Sequence, residues 1–173
     1  CFVFIGRSET ASQTIEKIKE AEAADPIKVV VFPDGFRQGG ELDLIYSDAT
    51  RVLIKKLFLK EPLDSYAYMF EVYRISVASQ DSGISLPGRQ LKTFFGVYLD
   101  GVPTLYARGR SRLDSLRYEL LPTYDARRDV SLLLTQSEQL RGGSYVQEGL
   151  TLAPMYHPLA PVVVWHELEG HIL

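Results

Sequence analysis

Two rhythms of apolar positions alternate along the chain. Unbroken or every-second-residue runs predict strands at Cys1 to Ile5, Ile27 to Phe32, Phe70 to Ala78 and Asp129 to Thr135, with Thr93 to Leu99 a further strand or an extended segment. Three- and four-residue spacings predict helices between them. Ala11 to Ala24 places Ile15, Ile18 and Ala21 or Glu22 on one stripe and stops before Asp25-Pro26. Leu42, Ile45, Ala49, Val52, Leu53 and Leu57 trace a second helical face, with Glu41 and Asp43 in its first turn and Lys55, Lys56 and Lys60 near its last. Leu113, Leu116 and Leu120 mark a third helix, from Arg110 to Leu121. Beyond the Arg141-Gly142-Gly143-Ser144 break, the polar run Tyr145 to Leu152 reads as a strand at a sheet edge. Pro154, Pro158 and Pro161 then lead into a terminal helix, Pro161 suiting its first turn. Strands alternating with helices predict an α/β domain built on a mixed sheet with flanking helices.

Composition makes this one unit. With 173 residues, 46% hydrophobic and 24% charged, the chain can bury a sizeable core, and a single domain over 1–173 is expected. A net charge of −3, with acids and bases mixed, argues against a nucleic-acid partner. Apolar stretches such as Pro161 to Trp165 are too short to span a bilayer, so no membrane role is expected and the chain reads as soluble. Cys1 is the sole cysteine, which excludes an internal disulfide and leaves a free thiol. The chain does not begin with Met, and Cys1 to Ile5 is too short for a signal-peptide core. It reads as a mature or excised segment, and nothing in it fixes an oligomeric state.

Chemistry concentrates at the end, in His166-Glu167-Leu168-Glu169-Gly170-His171. Two imidazoles flanking a carboxylate are the parts of a zinc hydrolase, but the zinc helix H-E-x-x-H sets its histidines four apart and here they are five apart. Five α-helical steps turn the second side chain about 140° from the first. Three local solutions stay open: a one-residue π-bulge near Gly170, a metal shared by Glu167 and His171, or a helix that ends at Gly170 and binds nothing. Other candidates are weaker. Gly39-Gly40 lacks the Gly-Lys-Ser/Thr of a phosphate loop, and Asp81-Ser82-Gly83 lacks the nucleophile elbow of a serine hydrolase, so these read as a helix entry and a turn.

Several spaced stretches together resemble the IgA-peptidase family of zinc metallopeptidases. They are Val29-Val30-Val31-Phe32-Pro33-Asp34-Gly35-Phe36 and the helix after it, Pro62, Tyr66, Phe70-Glu71-Val72-Tyr73, Ser79-Gln80-Asp81-Ser82-Gly83, the strand from Asp129 to Thr135 with Gly142-Gly143 beyond it, and His166-Glu167-Leu168. The resemblance implies a zincin-like catalytic domain with its metal-motif helix at the C-terminus, secreted or at the cell surface, acting on a peptide or protein substrate. It makes His166 and His171 ligands of Zn2+ and Glu167 the general base. Where family members read His-Glu-Leu-Gly-His this chain inserts Glu169, and a third ligand is expected beyond His171. Within the chain His157, Asp34, Glu138 and Glu148 are the remaining candidates for that third place. A non-catalytic binding module that keeps the fold is the alternative. In the catalytic reading, the Tyr145 to Leu152 edge would hold an extended peptide by strand addition.

Overall fold

Ile27–Asp34 is buried almost throughout, as a strand covered on both faces must be, and it lies at the heart of a six-stranded sheet. The structure is a computed structural model; it describes residues 13–101, 104–139 and 141–171, the last three by backbone alone. The strand expected at Cys1 to Ile5 lies outside the described residues. In chain order the sheet contains β1 (Thr14–Lys19), β2 (Ile27–Asp34), β3 (Phe70–Ser76), β6 (Val130–Thr135), β7 (Gly143–Tyr145) and β8 (Leu150–Pro154). Across the sheet the order is β1-β3-β2-β6-β8-β7. The four central strands run parallel, and β1 and β7 close the two edges antiparallel, so the sheet is mixed as expected. A separate ribbon pairs β4 (Val97–Leu99) with β5 (Leu105–Ala107).

Alternation along β2 separates two cores. Val29 and Val31 face one that also takes in α1 (Ser47–Leu57) and α3 (Ala160–His171). Val30 and Phe32 face the other, built with α2 (Arg110–Leu120) and the ribbon. The result is helices on both faces of a mostly parallel sheet.

Three expectations need correction. The segment Ala11 to Ala24 is not a helix; its described part holds the edge strand β1. Ile15 packs into one core and Ile18 into the other. An apolar pair three apart fits one helical face, but in a strand it serves opposite faces of the sheet, and tertiary pairing with β3 decides between the two. The second helix exists, but begins as a π-helical segment, Gly40–Tyr46, before α1. The wider turn alters the phase of the inward face, so Tyr46 and Ile54 join the expected Leu42, Leu53 and Leu57 inside, while Ile45 and Val52 are 43% and 53% exposed. Tyr145 to Leu152 is not one strand. It divides into β7, a 3-10 turn at Val146–Glu148, a left-handed Gly149 with φ 56°, and the interior strand β8.

The chain passes from β2 through α1 to β3, then through α2 to β6 on the other side of β2, so β2 and β6 flank the point where the winding reverses. Ligands commonly enter there, beyond the strand ends. Here the 79–95 loop fills it. The fully buried Asp34 carboxylate accepts the Phe95 and Val97 N–H groups at 2.7 and 2.9 Å and the Thr93 hydroxyl at 2.7 Å. Burial pushes its pKa up, while those donors oppose the rise. Gly35, at φ 81°, lies so near Gly83 that a Cβ would stand 2.1 Å from the Gly83 carbonyl oxygen.

Candidate active site

The site is built where α3 passes the β7 edge. His157 prepares the start of α3: its carbonyl accepts the Ala160 N–H at 2.8 Å and its Nδ1 accepts the Leu159 N–H at 3.1 Å. Val164 and Leu168, one turn apart, anchor the helix in the core, and Trp165 lies under the Lys60 ammonium, 5.4 Å from its ring centre. That anchoring leaves His166 exposed and Glu167 half-buried on the flank facing β7.

Glu167 is held from the strand. The Ser144 hydroxyl donates to Glu167 Oε2 at 2.5 Å. Gly142 makes the close approach possible, since a Cβ there would lie 2.6 Å from Glu167 Oε1 and 2.9 Å from Val163 Cγ1. The sequence showed Gly142-Gly143-Ser144 only as a break; a paired glycine beside an edge strand was the available sign that something packs closely on it. The β4–β5 ribbon adjoins the same rim. Leu105 donates its N–H to the Gly142 carbonyl at 3.1 Å, Ala107 donates to the Tyr145 hydroxyl at 3.2 Å, and a Cβ on Gly143 would stand 2.5 Å from the Leu105 oxygen. The edge strand here is therefore the short β7, with the ribbon against it at Gly142, and not the eight-residue strand expected from Tyr145 to Leu152.

α3 is α-helical from Ala160 to His171, with neither a π-turn nor a stop at Gly170. Positions 166 and 171 are thus about 140° apart around its axis. The donors are right in kind for zinc, but a regular helix in this register does not bring both imidazole positions to one face. Among the described residues, no three His, Cys, Asp or Glu side chains group closely enough to hold a metal ion.

The other third-ligand candidates lie in separate networks. His157 Nδ1 is occupied at the helix start, Asp34 is committed to the loop beyond β2, Glu148 pairs with Arg110, and Glu138 is exposed. Among the described residues no helix is long and apolar enough to cross a membrane. Residues 15–173 match the family described as IgA Peptidase M64. Comparison with curated proteins finds no match.

Proposed function

Because the chain belongs to the IgA peptidase M64 family, we propose that the junction of α3 and β7 is the hydrolytic site of a zinc-dependent, zincin-like endopeptidase. The observation that supports this most is the Glu167 carboxylate: half-buried, next to the exposed His166, and fixed by one oxygen to Ser144. A general base needs such a group, with a fixed orientation and one oxygen left to take a proton. Glu167 Oε1 faces the side-chain-free Gly142. In this reading Glu167 takes a proton from the attacking water, Ser144 keeps the carboxylate in place, and the peptide lies along the rim of β7.

The proposed metal is zinc, with His166 and His171 as ligands once the turn at Glu169-Gly170 is rewound by one residue. When bound it would polarise the scissile carbonyl and acidify water. The register of α3 as observed does not fit it.

Elemental analysis and a peptide-cleavage assay test the proposal together. Zinc is expected below one equivalent in the purified chain, because weakly arranged ligands make a weak site. Glu167→Gln is expected to lower cleavage by about 10²–10⁴-fold with zinc content unchanged. Undiminished cleavage in that variant would remove Glu167 from the role of base.

The five-residue spacing on a continuous helix favours a second reading, in which the fold persists as a binding module without catalysis. Peptide binding by the wild-type protein, with no cleavage at saturating zinc, is its signature.

A further inference from the structure

At the opposite end of the sheet from β7, between β1, α1 and the chain that follows α1, lies a cavity of about 350 Å³. Its walls are Ile18, Ile54, Phe58, Leu59 and Ala67, and its cations are Lys19, Arg51 and Lys55. The volume is at the small end of the roughly 300–1,000 Å³ typical of small-molecule sites. We propose that this cavity binds a soluble amphiphile with a short alkyl chain and a carboxylate head, such as a medium-chain fatty acid.

Charge argues for the anionic head. The Lys19 ammonium is held by neutral oxygens, the carbonyls of Glu20 at 3.2 Å, Ala67 at 2.5 Å and Phe70 at 2.9 Å, and lies 5.1 Å from the Phe58 ring centre. It makes no ion pair among the described residues; Glu22 acts on it only at longer range. Burial lowers its pKa, and Glu22 opposes that shift. Arg51 has a carboxylate partner, Glu16, but shares it with Arg74. Lys55 is exposed and has no ion pair among the described residues. Of the three cations around the cavity, only Arg51 has a carboxylate partner among the described residues.

Shape argues for the alkyl chain. Ile54 and Phe58 are 5% and 8% exposed and form a firm apolar floor, and Leu59, 69% exposed, stands at the rim with no apolar cover of its own. A ligand with only a charge would leave that surface wet. One with only a chain would leave the cations uncompensated.

The matched pair octanoate and 1-octanol, titrated calorimetrically into the intact chain, separates these contributions. Octanoate is expected to bind saturably at one site, at least tenfold more tightly than octanol. Ala67→Trp, which fills the cavity, is expected to abolish octanoate binding. Lys55→Glu, a change on an exposed helical surface that leaves the fold intact, is expected to weaken octanoate at least fivefold and leave octanol unchanged. Equal affinities for the two probes, no saturable heat from octanoate, or octanoate binding unaffected by Lys55→Glu would each overturn the proposal. So would retention on phosphatidylglycerol vesicles with no heat from octanoate, which would make the surface a membrane-docking face.

Discussion

At Gly142 an added methyl group would press on two side chains, the flexible Glu167 carboxylate and the stiffer Val163 Cγ1, whereas at Gly143 it would meet backbone, the Leu105 carbonyl. The two alanine variants should therefore fail differently. Gly142→Ala is expected to displace the carboxylate, lowering any cleavage tenfold or more while costing less stability than Gly143→Ala, because side chains and not backbone must yield. Gly143→Ala is expected to cost about 1–3 kcal/mol, because the ribbon must move off the rim. Urea unfolding beside peptide cleavage separates them. A second residue carries a pH signature. Glu41 accepts hydrogen bonds from the Arg37 guanidinium, the Arg37 N–H and the Ser82 hydroxyl. The Arg37 side chain foremost holds its pKa at about 2, below the ordinary 4.5. The folded state thus binds this proton less tightly than the unfolded chain. The stability Glu41 contributes is present above about pH 4.5 and is lost as the pH falls toward about 2. Glu41→Gln should melt below wild type at pH 7, with the difference closing across that window; a constant difference would deny the ion pair its role.

Among the elements, the π-helical entry to α1 makes a sharp claim about which side chains carry load. Ile54→Ala is expected to cost about 2–5 kcal/mol, a buried truncation, and Val52→Ala to stay within about 0.5 kcal/mol, although the unshifted pattern ranks them the other way. Chemical denaturation decides it. α3 poses the same question of register in functional form. Deleting Glu169 restores the four-residue spacing, and at fixed pH the shortened protein is expected to bind zinc at least tenfold more tightly, about 1.4 kcal/mol. Unchanged affinity with intact circular dichroism would show that register is not what limits the site. Where local pattern and register agreed the elements were legible: β2, β6 and α2 occur within a residue or two of expectation. Where one residue of helical phase or strand direction decided the outcome, as at Ile15 and Ile18 or at Ile45 and Tyr46, the pattern was ambiguous and long-range packing chose.

For the molecule as a whole, the sheet between two helical layers followed from the alternation of strands and helices, but its order across the chain did not, because nothing local tells β6 to settle beside β2 and not β3. The candidate site divides the same way. His166 and Glu167 were legible as residue types beside one another, while Ser144 and Gly142, more than twenty positions earlier, become partners of Glu167 only when β7 folds against α3. The sheet also ends in two unlike margins. At β7 a second ribbon stands against the rim, held by backbone contacts that salt does not touch. At β1 the margin carries Glu16, Lys17 and Lys19, and among the described strands only β3 pairs with it. Exposed charge on an edge strand keeps it hydrated, and the attraction between paired surface charges weakens as electrolyte is added. Added salt should therefore loosen the ion pairs of Glu16 and Lys17 at the β1 margin and leave the β7 margin unchanged, so the two ends of one sheet answer differently to ionic strength.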